Sequence, residues 1–205
     1  MTGIAQRNWL WSALALTIVI LCGFLQARGL FVPVDRPVME AVGRVRDSGS
    51  GQMFTPVAIV LSAATDIGGR LIMLALAAPL LWTTGWRRQW VWLASVTIAA
   101  MLLNTALKLC FRAARPALLP HLEAITTYSF PSGHASGNMA FFGALAMVSG
   151  WCSVRIAATV LILAIGISRI WLGVHWPSDV LCGWLEGVAI LLAARSWLPG
   201  PINRK

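Results

Sequence analysis

Trp9–Gln26 reads WLWSALALTIVILCGFLQ, eighteen residues without a charged side chain. As a helix this run spans roughly 27 Å, close to the ~30 Å hydrocarbon core of a bilayer. A surface helix of a soluble protein would carry a polar face along its length. Here only Ser12, Thr17, Cys22 and the terminal Gln26 interrupt the apolar side chains. The run is longer than the apolar region of a secretory signal, and no small-x-small cleavage site follows it closely, so it reads as a retained first span.

Working outward, the same pattern repeats. Ala27 to Gln52 is polar, but Val38, Met39, Ala41, Val42 and Val45 within Pro37 to Arg46 have the spacing of a short interfacial helix. Phe54 to Trp82 is too long for one untilted span and is interrupted by Asp66, Gly68, Gly69 and Arg70. The crossing is placed mainly in Arg70 to Thr83, with the earlier part tilted or protruding. Asp66 and Arg70, four apart, could pair on one helix face. Further spans read from Trp90 to Phe111, Ser132 to Cys152, Arg155 to Leu172 and Pro177 to Trp197. The expectation is an all-α integral membrane protein: one domain over residues 1–205, six transmembrane helices, and an interfacial helix between the first and second.

Composition agrees. Hydrophobic residues make up 58% of the 205 and charged residues 11%, against roughly 25% charged in a typical soluble domain. The net charge of +9 comes from sixteen Lys and Arg that form no continuous basic tract, so no nucleic-acid partner is expected; the bilayer is. Cys22, Cys110, Cys152 and Cys182 stand singly in or beside apolar runs, without metal-ligand spacing or a disulfide framework, and read as small packing residues. Trp82, Trp86, Trp90 and Trp92 flank a short basic turn, as in an interfacial belt.

Three polar motifs break the apolar pattern. In Lys108-Leu-Cys-Phe-Arg-Ala-Ala-Arg115-Pro116 the two outer cations are seven apart, about two helical turns, so they could share a face, and Pro116 disfavours helix at Arg115 and so ends the helix there. Pro131-Ser132-Gly133-His134 opens the fourth span. Ser132 suits an N-cap, Gly133 permits close backbone approach, and the free N–H groups of a helix start favour phosphate. The third motif runs from Ser168-Arg169 to His175-Trp-Pro-Ser-Asp179. Arg169 is too costly for lipid unless paired or solvated, Pro177 is a natural first helical residue, and Asp179 can reach back to His175 and fix its tautomer. Alone, each motif would pass for snorkelling or capping. By the span count, all three meet at one membrane surface. Together they supply three cations, helix-terminal N–H groups and two histidines, an inventory suited to phosphoryl transfer.

At these residues the chain resembles the type 2 phosphatidic acid phosphatase family, which shares its core with vanadium haloperoxidases. The family signature K-x6-R-P, P-S-G-H and S-R-x5-H-x3-D is present in full between Lys108 and Asp179. The resemblance implies a metal-independent, cofactor-free lipid phosphate phosphatase. His175 would attack phosphorus to form a phosphohistidine, Asp179 would orient it, and His134 would protonate the leaving oxygen and later activate water. Lys108, Arg115 and Arg169 would hold the phosphate oxygens, with Ser132 and the Gly133 backbone. It also implies a multi-pass protein of the cell (inner) membrane, with cytoplasmic termini and a site facing the periplasm or exterior. The positive-inside count by itself is a tie at seven basic residues on each side.

The motifs read phosphate and not the tail or head group. Undecaprenyl pyrophosphate, phosphatidic acid, phosphatidylglycerol phosphate and lipid A phosphates are all candidates. Transfer to an alcohol acceptor would use the same intermediate as hydrolysis. Specificity is expected from the Arg112 to Pro131 loop and the Ala27 to Gln52 segment. Arg112 either extends the phosphate pocket or meets head groups, and Trp171 and Trp176 either border a lipid entrance or sit at the interface.

Overall fold

A computed structural model describes residues 3–202, and the described residues form helices joined by turns and one long loop. In chain order these are α1 (Gly3–Ala27), α2 (Val32–Arg46), α3 (Gly49–Gln52), α4 (Phe54–Ala64), α5 (Ile67–Thr83), α6 (Arg87–Phe111), α7 (Gly133–Ser149), α8 (Cys152–Trp171) and α9 (Pro177–Ala194), with a closing 3-10 turn at Arg195–Trp197.

Among the described residues four segments are long and apolar enough to cross a membrane: α1, α6, α8 and Pro177–Trp197. The pair α4 and α5, bent by 59°, would make a fifth. The break lies where the sequence places it, at Asp66. The expected face-to-face pairing of Asp66 with Arg70 does not form. Asp66 instead caps α5, its Oδ1 accepting from Gly69 N at 2.7 Å, which uses the carboxylate on the new helix's own free N–H. The remaining expected span corresponds to α7, 17 residues long and packed among α5, α6, α8 and α9.

Burial is inverted relative to a soluble protein. Leu10, Leu14, Ile18 and Leu21 of α1, Leu76 and Leu80 of α5, and Ile156, Val160, Leu163 and Ile167 of α8 are all exposed. Apolar stripes this extensive mark a surface meant for lipid. Inside, Leu74, Trp92, Val96, Phe141, Ala144, Val148 and Ile165 form the largest core cluster, around α7. With lipid outside, helix association depends on close packing rather than on apolar burial. On α9, Gly183 and Gly187 lie against α7 so closely that a Cβ would come 2.6 Å from Ser132 O and 2.6 Å from Met139 Cβ, respectively. These two helices carry two of the three motifs.

The interfacial helix is longer than expected, starting at Val32. Pro33 sits in its first turn, where no intrahelical N–H bond is lost. The tryptophan belt is only partly a belt. Trp82 is exposed and stacks under Arg87, but Trp92 is buried and donates to Ala194 O at 3.0 Å. Cys182 is buried in a second core cluster and Cys22 packs against it, whereas Cys110 and Cys152 are exposed.

Candidate active site

α6 ends at Phe111 because Arg112 turns into the left-handed region at φ 49°. Arg115 therefore lies beyond the helix and does not share a helical face with Lys108, contrary to the spacing argument. The two cations converge by another route. Lys108 Nζ donates to Tyr128 O and, at 3.1 Å, to Ser129 O, while Arg115 Nη2 donates to Tyr128 O at 3.2 Å. The loop before the Pro-Ser-Gly-His motif thus wraps both side chains.

Ser132 caps α7 in the expected extended conformation, its Oγ accepting from Ala135 N, and its N–H donates to Asp179 O at 3.0 Å. It is buried and does not line the cavity. Gly133 does line it, close enough to α6 that a Cβ would lie 2.9 Å from Asn104 Oδ1. In the next position, His134 Nε2 lies 3.2 Å from Ser62 O. A carbonyl only accepts, so this contact is a hydrogen bond when Nε2 carries the proton.

His175 sits in the turn between α8 and α9, only 2% exposed. Its Nδ1 is 3.3 Å from Asp179 Oδ2, the four-residue reach that the sequence predicts. The same oxygen accepts from Trp176 N at 3.0 Å and from Ser129 Oγ at 2.5 Å. On the other side of the ring, Nε2 is 3.3 Å from Arg115 Nη1, which also donates to Val174 O at 2.5 Å. A guanidinium only donates, so Nε2 presents its lone pair and Nδ1 holds the proton toward Asp179. Burial, then the charges of Lys108, Arg115 and Arg169, hold the imidazole well below its ordinary pKa. Both effects favour the neutral ring, with the Nε2 lone pair on the Arg115 side. Burial and the nearby Arg169 also lower Arg115, but only to about 10, so it stays cationic at neutral pH.

Arg169 is fully buried, and Glu123 covers it. Nη1 donates to Glu123 Oε2 at 2.6 Å and to Ser62 Oγ, while Nε and Nη2 have no partner among the described residues. Glu123 and Ser62 are absent from the signature, and no periodicity marks them. Glu123 is a lone acid in an irregular loop.

The sites meet around a cavity of about 470 Å³. Lys108, Arg115, Gly133, His134 and His175 line it, with Glu123, Ile125, Thr126, Thr127 and Tyr128 of the loop. The Arg112 to Pro131 loop, from which specificity is expected, thus lines the cavity. The Ala27 to Gln52 segment acts from behind: Arg46 Nη1 donates to Pro120 O at 3.2 Å and Trp171 O at 3.3 Å, and Asp35 accepts from Ser178 at the start of α9. Arg112 lies outside the cavity. Trp171 and Trp176 do too, their indole N–H groups donating to Thr55 Oγ1 and Ala114 O.

Fold and site together define an all-helical integral membrane protein with a cationic, two-histidine cavity built where four helix ends meet. The chain belongs to the PAP2 superfamily, whose family model matches residues 89–202, more than half of it. It is 36% identical over 83 residues to an undecaprenyl-diphosphatase of Sulfolobus acidocaldarius, covering 38% of each chain. To phosphatidylglycerophosphatase B of Bacillus subtilis it is 30% identical over 105 residues, 47% of this chain and 51% of that one. The chain thus spans about half or less of the length of these curated relatives. The crystal structure of a transmembrane PAP2-type phosphatidylglycerolphosphate phosphatase from Bacillus subtilis has the same fold, with a TM-score of 0.75 over 88% of this chain and 94% of that one at 21% identity.

Proposed function

We propose that this protein hydrolyses a phosphate ester or anhydride on a membrane lipid, through a phosphohistidine and without a metal. The observation that carries the reading is His175, with Nδ1 held at Asp179 and the Nε2 lone pair directed to the Arg115 side of the cavity. In the first step Nε2 bonds to phosphorus and the bond to the lipid oxygen breaks, with His134, as the imidazolium that the bound phosphate's charge favours, donating a proton to that oxygen. In the second, His134 takes a proton from water, the hydroxide attacks the phosphohistidine, and inorganic phosphate leaves as His175 is restored. Lys108 and Arg115 neutralise the phosphoryl oxygens. Arg169 joins them through its unpartnered Nε and Nη2 once Glu123 gives way.

In this reading α7 completes six spans, the termini are cytoplasmic, and the site faces the periplasm or exterior. The related undecaprenyl-diphosphatase and phosphatidylglycerophosphatase support a lipid phosphate as substrate. The test is phosphate release by purified protein from a panel of lipid phosphates and diphosphates in excess EDTA, beside His175→Ala. Release that persists in EDTA and disappears in the variant is the expected result. Equal release by the variant overturns the nucleophile, and magnesium-dependent release overturns the metal-free step.

A further inference from the structure

The cavity does not stop at the histidines. Past His134 it continues between α5, α6 and α7, lined by Gly137, Arg70, Asn104, Met101 and Ala100. At that inner end Arg70 is 2% exposed, and its guanidinium makes one hydrogen bond among the described residues, Nη1 to Thr65 O at 2.7 Å. Among the described residues Nε has no partner and no carboxylate comes within ion-pair distance; Asp66, which lines the same cavity and attracts Arg70 from farther off, is occupied as the cap of α5. The guanidinium lies flat on Gly137, where a Cβ would sit 2.5 Å from Cζ, 2.6 Å from Nη2 and 2.9 Å from Nη1. Gly137 is one helical turn from His134.

A buried, unpaired cation inside a membrane protein is expensive, and such residues ordinarily mark a substrate path. The position of this one says which part of a substrate it serves. Lys108, Arg115 and Arg169 surround the phosphoryl group that His175 would take. Arg70 lies against Gly137, one helical turn past His134, and in the proposed mechanism His134 serves the leaving lipid oxygen, so Arg70 would meet the leaving group. A monoester leaves as an alcohol, neutral once His134 has protonated it, and needs no cation there. A diphosphate leaves as a lipid monophosphate, whose charge must be matched in a poorly solvated cavity. A planar guanidinium with free N–H groups fits two oxygens of that group.

Resting on the hydrolytic reading above, we infer that Arg70 binds the lipid-linked phosphate of a diphosphate, and that the substrate class is a lipid diphosphate rather than a phosphomonoester.

The experiment compares a prenyl diphosphate with phosphatidic acid, using wild type, Arg70→Gln, Arg70→Lys and Gly137→Ala, each checked for folding by thermal unfolding in detergent. Arg70→Gln is expected to lower kcat/KM for the diphosphate at least thirtyfold and for the monoester no more than threefold. Arg70→Lys should recover part of the loss, and Gly137→Ala, which displaces the guanidinium, should repeat the selectivity of Arg70→Gln. A second arm measures prenyl diphosphate binding to His175→Ala with and without Arg70→Gln, where the added change should weaken binding at least tenfold. Equal losses on both substrates, an unchanged diphosphate rate, or wild-type preference for the monoester would each overturn the inference while leaving hydrolysis intact. If folded wild type releases no phosphate but the binding arm still shows dependence on Arg70, hydrolysis fails and the subsite stands. Binding indifferent to Arg70 removes the subsite whatever the turnover.

Discussion

Arg115 Nη1 lies 3.3 Å from His175 Nε2, donor facing acceptor, while the opposite ring nitrogen faces Asp179. The imidazole is therefore fixed in one tautomer from both sides: a cation that cannot accept a hydrogen bond on one edge, and a carboxylate that cannot donate one when ionised on the other. An amide at position 179 would disturb this arrangement, because its N–H group could face Nδ1 and move the ring proton to Nε2, against Arg115.

Asp179→Asn is accordingly expected to lower kcat by up to about ten-thousandfold, the drop seen when the orienting carboxylate of a catalytic histidine becomes an amide. KM should change little, since the phosphate-binding cations are untouched. Steady-state kinetics on the preferred lipid check this, and an unchanged kcat would remove the tautomer role.

Glu123 makes a different prediction. Its carboxylate holds Arg169 Nη1 at 2.6 Å, so an incoming phosphate competes with it for that guanidinium. Glu123→Gln weakens the held pair while keeping the shape of the side chain, and inhibition by orthovanadate should tighten by roughly threefold to tenfold, as expected when a partly exposed ion pair is no longer in competition. Weaker inhibition would mean that Glu123 assists binding instead.

What the sequence makes legible follows from range. The Ser132 cap and the reach from Asp179 to His175 are local, set by helix geometry over four residues, and both occur. The meeting of three motifs needs only an odd or even number of crossings between them, and it also occurs. Contacts made across the fold leave no local trace. Glu123 on Arg169, Ser129 on Asp179 and Asp35 on Ser178 join residues 46, 50 and 143 positions apart. Arg70 is the intermediate case. A cation within an apolar run is visible, but the glycine it lies on, Gly137, is on another helix.

The buried neutral His175 gives a pH dependence whose sign is fixed. Its folded pKa is depressed, so below the ordinary histidine value of about 6.5 the unfolded chain takes up a proton that the folded chain refuses. Stability is fully present above that value and falls as pH drops through it. The thermal midpoint in detergent should decline from pH 7 to pH 5 more steeply in wild type than in His175→Gln, which has no proton to take up. Parallel declines would show that His175 protonates without penalty in the fold.

Asp35 couples α2 to α9. Its two carboxylate oxygens accept from Ser178 N at 3.0 Å and Ser178 Oγ at 2.5 Å, at the first turn of the helix that presents Asp179. Burial raises its pKa, partly offset by these two bonds, so the ionised form is the less favoured one in the fold; this contribution to stability is greatest at low pH and diminishes as pH rises through the raised value. An asparagine can reproduce the geometry: Oδ1 accepts from Ser178 N, and Nδ2 donates to Ser178 Oγ, whose own proton then serves Gln26 Oε1. Asp35→Asn should therefore unfold near the wild-type temperature at pH 7, whereas Asp35→Ala leaves Ser178 N–H unsatisfied and should lose about 1–3 kcal/mol. Because the tilt of α9 sets where Asp179 meets His175, Asp35→Ala is also expected to lower kcat several-fold with KM nearly unchanged. Thermal unfolding and steady-state kinetics on the two variants test both halves. Equal destabilisation by Asn and Ala would mean that the charge, not the pair of hydrogen bonds, holds the two helices together.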